Sequence, residues 1–462
     1  MKKILLLLTS VIMAITLSAC SGSKMTAATS GSLSDTMSAT PATVTAHFAN
    51  IAHAMLEDSL FTAQSLQKRI NVFLAQPSTK NLQLAREAYV LSRIPYQQSE
   101  VLRFDTENGH VTEGLDREGG PASVDDWEGQ LNAWPLDEAL IDYVDLGTYE
   151  GEYGGAINII NTPGNMTVGG QTVDASRLTP EVLAGFNEIG GSEANVATGY
   201  HAIEFLLWGQ DTNGTGPGAG DRPVSDYFTN PAQGPCTSGP LVAGAMICER
   251  RGQFLSAAAD LLVADLQEMV NEWAPGAVEG TLRHDFLTRH DGLQRIVDSM
   301  GDMAIGELAS ERMKVAILFG STEDEHDCFS DVSHIAIFNN AQGVVNAYTG
   351  TYQRMNGQLM KGPSVADLVK STDPSLHAAL QAQLNDVMSR MQRIVDTANN
   401  GKKFDQLIGG SQSDKNLVLD AAASLTSLDE PLSDGVAGVL ALELAEFDPG
   451  TCPTQNAADC EN

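Results

Sequence analysis

The stretch Val44-Thr45-Ala46-His47-Phe48-Ala49-Asn50-Ile51-Ala52-His53-Ala54-Met55-Leu56-Glu57-Asp58-Ser59-Leu60 decides how this chain folds. Its large apolar residues, Val44, Phe48, Ile51, Met55, Leu56 and Leu60, return every three or four positions, which is the period of one face of an α-helix. The pattern continues to Leu74, and Pro77 ends it. The same period recurs outward from there. A second helix is predicted from Asn81 to about Phe104, with Pro95 inside it as a kink that frees backbone groups near Arg93, Tyr96 and Glu100. Short helical pieces are expected at 136–145 and 179–189, then a helix from Glu193 to Trp208. Long helices are predicted over 241–272, 281–319, 332–349, 373–399 and 413–445. Alternating β-branched stretches are scarce. The chain therefore reads as all-α, with two helical-bundle domains, long irregular loops and at most minor β-hairpins.

The first twenty residues read as a targeting signal. Lys2 and Lys3 precede an apolar run from Ile4 to Leu17, too short for an ordinary membrane span, and Leu17-Ser18-Ala19-Cys20 closes it. The pattern resembles a bacterial lipoprotein signal, with residues 1–19 removed and Cys20 lipidated. Ser21 stands where an aspartate would favour the inner membrane, so an outer-membrane lipoprotein facing the periplasm or the cell surface is expected. Residues 20–40 are Ser, Thr, Ala and Gly with few large apolar groups, a flexible tether. The remaining length predicts two domains, with Pro275-Gly276 as the boundary. That gives an N-terminal bundle over 41–275, a C-terminal bundle over 276–450 and a tail over 451–462.

Lys and Arg number 27 against 59 Asp and Glu, a net charge of −32. Such a surface repels phosphate backbones and excludes nucleic acid as a partner. It attracts cations, or simply suits a salty medium. The spacings favour Cys236 pairing with Cys248 and Cys452 with Cys460, leaving Cys328 over.

The chemistry-bearing residues fall in four runs. Gly199-Tyr200-His201-Ala202-Ile203-Glu204-Phe205-Leu206-Leu207-Trp208-Gly209 sets an imidazole and a carboxylate three residues apart in a helix-compatible run, so both share one face. His110-Val-Thr-Glu113 has the same spacing in a Gly- and Asp-rich stretch and is a chance match. Ser92-Arg93-Ile94-Pro95-Tyr96-Gln97-Gln98-Ser99-Glu100 places Tyr96 and Glu100 on one face of its helix. Asn132-Ala133-Trp134-Pro135-Leu136-Asp137-Glu138 enters a helix whose dipole already accounts for its acids. The densest run is Glu323-Asp324-Glu325-His326-Asp327-Cys328-Phe329-Ser330-Asp331, with His334 beyond it. Crowding carboxylates and imidazoles this closely requires solvation or a cation, and the donor types suit iron, manganese or zinc. Asp211-x-Asn213-x-Thr215-Gly216 lacks the glutamate of a calcium loop, because Arg222 occupies that place. His-Glu-x-x-His, Gly-x-Ser-x-Gly and a P-loop are all absent.

Gly199-x-His201-x-x-Glu204 with the following Phe-Leu-Leu-Trp-Gly resembles the signature of the imelysin family, the insulin-cleaving metalloprotease-like group. Ser92-Arg93-x-Pro95-Tyr96, Asn132-Ala-Trp134-Pro135-Leu-Asp137-Glu138, Asp221-Arg222-Pro223-x-x-Asp226-Tyr227 and Glu325-His326-Asp327-Cys328-Phe329-Ser330-Asp331 are similar to its iron-regulated protein A branch. The resemblance covers roughly residues 42 to 446. It implies two α-helical bundles, residence in the cell envelope, a link to iron acquisition and a site near the interface of the two domains. Within it, His201 and Glu204 match the signature itself, Arg93, Tyr96 and Glu100 the companion helix, and His326 and Asp327 the second-domain motif.

Together these readings predict an envelope lipoprotein of iron uptake that binds a metal ion or an iron-bearing ligand between two bundles. The expected metal ligands are His201, Glu204, Glu100 and His326. Arg93, Tyr96, Trp134, Asp137, Asp327 and His334 are expected around them. The cofactor is a divalent or ferric ion, iron first and zinc second. The expected partners are iron or its carrier, the outer membrane through the lipid, and other envelope iron-transport components. A metallopeptidase using His201 and Glu204 is the second reading, and a non-catalytic interaction scaffold the third.

Overall fold

Thr40 opens the first helix: its side chain accepts a hydrogen bond from the Thr43 amide, the Thr43 hydroxyl accepts from the Thr40 amide, and Pro41 occupies the first turn. The computed structural model describes residues 38–102, 124–147, 158–276, 278–444 and 447. The expected signal with Cys20, most of the expected tether, His110 to Glu113, and Cys452 and Cys460 lie outside the described residues. Helix α1 (Pro41–Ala75) is followed by α2 (Thr79–Ser99), α3 (Val124–Leu131) and α4 (Glu138–Ile141). A hairpin of β1 (Asn165–Val168) and β2 (Gln171–Asp174) precedes α5 (Pro180–Ala184) and α6 (Gly199–Trp208). A second small hairpin, β3 (Thr237–Ser238) with β4 (Leu241–Val242), leads into α7 (Ala245–Glu272). Then come α8 (Leu282–Thr288), α9 (Gly292–Gly301), a π-helical segment (Asp302–Lys314) and α10 (Val315–Phe319). Helix α11 (Ser333–Thr349) runs into a hairpin of β5 (Thr351–Gln353) and β6 (Leu359–Lys361), then α12 (Val365–Thr372) and α13 (Pro374–Asn399). The described chain closes with α14 (Phe404–Ile408), α15 (Gln412–Thr426), a π turn (Pro431–Val436) and α16 (Ala437–Leu440). The protein is mostly helical, and the strands among the described residues form three antiparallel pairs.

Two sets of helices emerge from the packing. α1 lies against α2 and α7, and α6 against α7. The π segment and α11 pack with α13 and α15 in the second set. The sets join where α2 meets α11 and where α1 meets α8 and α9, so helices from both sides of Pro275-Gly276 share one continuous apolar core. The described residues form a single compact unit. No helix among the described residues is long and apolar enough to cross a membrane.

Several predicted helices differ in extent, each for a local reason. The segment predicted from Glu193 begins only at Gly199, whose φ of 72° lies outside the right-handed helical region. Region 281–319 divides at Arg289–Asp291, where Asp291 accepts hydrogen bonds from Arg289 and Arg295 across the break. Region 413–445 stops at Thr426, and Pro431, which has no N–H to donate, heads the π turn that follows. Pro95 stays inside α2 as expected, and Leu91, whose carbonyl it leaves without a donor, is exposed. Cys236 and Cys248 form the expected disulfide, and Cys328 is free. Arg222 and Arg251 both clamp the buried Asp142 at 2.6 Å, which makes the Asp221-Arg222-Pro223 motif a brace for the loop after α6.

Candidate metal centre

Gly199 allows α6 to start pressed against the Leu131 carbonyl, where any Cβ would collide. This close approach fixes the helix so that His201 and Glu204, one turn apart, point the same way. His201 Nδ1 and Glu204 Oε2 lie 2.8 Å apart and share one proton. The other oxygen of Glu204 accepts from both the amide (2.9 Å) and the hydroxyl (2.6 Å) of Ser330, in the loop before α11. Tyr89 on α2 donates to Glu204 Oε2 at 3.0 Å and also approaches Asp327 Oδ1 at 3.4 Å. Elements distant in sequence thus converge: α2 and α6 from the first set of helices, the 325–334 loop from the second.

Asp327 completes the group. One ligand atom from each of His201, Glu204 and Asp327 lies within 4.8 Å of the other two, and all three residues are buried. Donors on an ion of zinc or iron size, at about 2.0–2.2 Å from it, stand roughly 3.4 Å apart in a tetrahedral site. A contraction of little more than ~1 Å would close this group onto a metal. His201 Nε2 is buried and without a partner, a polar atom that needs an ion or water. The donor set, one imidazole and two carboxylates, fits iron or zinc.

Charge balance singles out Glu204. Burial works against the charge of Asp327, but Arg93, whose Nε donates to Oδ1 at 3.0 Å, and His326 overcome it and hold that carboxyl below the usual range. Glu204 has only Ser330, Tyr89 and His201 as hydrogen-bond partners. Burial, then the charge of Asp327, pushes its pKa up to about 8. Burial and Arg93 push His201 down to about 3, so its imidazole is neutral at physiological pH. The centre therefore presents a neutral imidazole beside a carboxyl that lacks a cation of its own.

The other expected residues are distributed as follows. Glu100 caps α2, and its carboxylate accepts from Arg312 at 2.6 and 3.2 Å, from Asn132 at 2.7 Å and from Asn340 at 2.7 Å. It is the counter-ion of Arg312 and stands outside the triad, contrary to its expected place as a ligand. His326 lies perpendicular to His201, with ring centroids 5.0 Å apart, but both its nitrogens are engaged, Nδ1 with Asp327 at 2.7 Å and Nε2 with Asn132 at 3.2 Å. It orients Asp327, and it is Asp327 whose ligand atom lies with those of His201 and Glu204. Arg93 stacks over Tyr200 at 4.7 Å, and Tyr96 packs on the same ring at 4.9 Å without reaching the triad. Trp134 covers His326 at 4.3 Å and Arg312 at 4.9 Å. Asp137 caps α4 through the Ala139 amide at 3.1 Å. His334 sits in the first turn of α11, and burial lowers it to about 4.

Sequence reasoning gave no role to Tyr89, Ser330, Asn132 or Arg312. Tyr89, Arg93, Tyr96 and Glu100 recur at helical spacing on α2, a signal that would have added Tyr89. Nothing local marks Arg312, which comes from the π segment and is fully buried.

A sequence model of the imelysin family matches residues 52–432. No curated protein sequence matches the chain significantly. Solved structures share the fold, among them the following two. A protein of Parabacteroides distasonis ATCC 8503 described as an iron-regulated protein A precursor is 17% identical, with 86% of this chain and 95% of that one covered at a TM-score of 0.55. An imelysin-like protein from Psychrobacter arcticum 273-4 is 14% identical, with 87% and 95% covered at a TM-score of 0.53. With the family match spanning most of its helices and the signature helix at its centre, the chain belongs to the imelysin family.

Proposed function

We propose that this imelysin-family protein is an envelope lipoprotein of iron uptake that holds a metal ion, or the metal of an iron-bearing ligand, at His201, Glu204 and Asp327. The observation that carries the reading is the buried Glu204 carboxyl without its own cation, beside a neutral histidine and a second carboxylate within 4.8 Å. Arg93 balances Asp327 and Arg312 balances Glu100, so a cation at the triad would offset the carboxylate of the triad that has no ion pair with Arg or Lys. The metal would act as the bound cargo, or as the point that recognises its carrier. Asp327 is ionised, His201 offers a lone pair, and Glu204 gives up its proton on binding. Ser330, Tyr89 and Arg93 hold these groups in place. Iron is the first choice and zinc the second. The basic, apolar, cysteine-ended start of the chain supports anchoring of Cys20 to the outer membrane, where other iron-transport components would be its partners.

Burial argues against the peptidase reading. A hydrolytic metal needs an open position for water and room for a peptide, whereas His201 is 2% exposed and Glu204 and Asp327 are at 0%. Elemental analysis and metal titration of the purified protein test the proposal. His201→Ala should lower binding at the triad by far more than it lowers stability. Unchanged binding with a large loss of stability would make His201 and Glu204 a structural pair.

A further inference from the structure

Beside the contact of α2 with α11 lies a cavity of about 580 Å³. Small-molecule pockets span roughly 300–1,000 Å³. Ile94 and Gln98, four residues apart on α2, supply one wall. Phe338, Gln342 and Asn346, at the same spacing on α11, supply the next. The third wall is one face of the hairpin, where Thr351 and Gln353 of β5 stand with Leu359, the cross-strand neighbour of Gln353. Tyr352, between them in sequence, turns to the opposite face and donates to Asp58 of α1 at 2.9 Å. Arg354 pins the same hairpin to α1 through Asp58 at 2.8 Å and Glu57 at 2.9 Å. The hairpin wall is thus fixed before any ligand arrives, which lowers the ordering cost of binding.

The lining is selective in charge and in hydrogen bonding. The chain carries a net charge of −32, yet among the described residues no carboxylate lines this cavity. Its one ionised lining side chain, Arg354, is already paired with the two acids of α1. The amides form a relay whose direction is fixed at one end. Asn339 Nδ2 donates at 2.8 Å to the Ile335 carbonyl, which can only accept, so Asn339 Oδ1 accepts from Gln98 at 2.9 Å. Gln98 Oε1 in turn accepts from Asn346 at 2.9 Å, and Asn346 Oδ1 from Gln342 at 2.9 Å. Gln342 heads the relay, and its Oε1 takes no hydrogen bond from the described residues. The exposed Gln353 on β5 brings a further amide to the same space. We propose that this cavity binds a short, uncharged oligosaccharide. A sugar hydroxyl both donates and accepts, which matches amides that carry an oxygen and an NH2 group side by side. The C–H face of a sugar ring suits the half-buried Phe338 and Ile94. A charged ligand would find no free counter-charge on these walls. An extended peptide would pair with a strand edge, whereas the hairpin turns a side-chain face to the cavity. The proposal is independent of the triad and of any metal there.

The test is saturation-transfer NMR and calorimetric titration of the full chain with three neutral sugars: maltotriose, cellotriose and triacetylchitotriose. Trigalacturonate and acetyl-trialanine amide serve as the anionic and peptide comparisons. At least one neutral sugar should bind at one equivalent. Gln342→Leu, which removes the acceptor at the head of the relay, should weaken it about tenfold. Gln353→Ala is the second variant: its side chain is exposed, so the fold tolerates the change, and it should weaken the same sugar several-fold with an unchanged circular dichroism spectrum. The proposal is overturned if none of the three neutral sugars binds, or if trigalacturonate or the peptide binds more tightly than they do. It is equally overturned if the bound sugar keeps full affinity in both variants.

Discussion

Replacing Glu100 by glutamine separates a ligand from a counter-ion. Glu100 accepts four hydrogen bonds from donors that offer nothing in return: two from Arg312, one each from Asn132 and Asn340. A glutamine keeps the shape but turns one acceptor into an NH2 group facing those donors. It also leaves Arg312, fully buried, with only the more exposed Glu128 at 3.0 Å and Glu307 at 3.2 Å as anions. Breaking a buried ion pair from one side costs about 3–5 kcal/mol, and here the donor clash adds to the charge imbalance. Glu100→Gln should therefore lower unfolding free energy by that amount in urea titration while leaving metal stoichiometry at the triad unchanged. A double variant, Glu100→Gln with Arg312→Met, should recover part of the loss, since no uncompensated charge then remains. Loss of metal with unchanged stability would refute the argument and return Glu100 to the ligand set.

Gly199→Ala should destabilise the protein by about 3 kcal/mol or more, because alanine at a φ of 72° is strained and its methyl meets the Leu131 backbone; a melting temperature equal to wild type would contradict this. Asp265, 6% exposed, is raised to about 6 by burial, so its protonated form is favoured in the folded state. Its stabilising effect is complete below the ordinary carboxylate range and is lost as pH rises through about 6. Asp265→Asn, which can keep the hydrogen bond from Gln130, should thus gain up to ~3 kcal/mol at pH 8 and nothing below about pH 4 in denaturant titrations. Cys20→Ser should abolish lipid labelling and release the protein from membranes in fractionation; persistence in the outer membrane through detergent-free washing would disprove the anchor.

Much of the site was legible because its parts are local patterns. His201 and Glu204 share a helix face by spacing alone, and Gly199 and Gly209 bracket them. Arg93 and Tyr96 were found beside Pro95 for the same reason. The acidic run at 323–334 stood out by its density, but its residues have different partners: Ser330 donates to Glu204 of α6, whereas Glu325 accepts from Ser333. A run of residues carries no direction until its backbone is placed, so the run by itself did not tell that Asp327, rather than His326, would bring a ligand atom beside His201 and Glu204.

What this sequence determined by itself was the helical class and the limits of several helices, since periodicity and breakers such as Pro77 act within a few residues of one another. The pairing of His201 with Glu204 belongs to the same category. Tertiary structure alone decided which charges meet. Arg312 reaches Glu100 across 212 residues, and Arg93 reaches Asp327 across 234. The physical reason is that a buried charge is stabilised by whatever opposite charge the packing brings near, and packing is set by apolar faces that are blind to it. The helices dock by their hydrophobic surfaces, and only then is it settled that Glu204, of the carboxylates around the triad, is left without a cation.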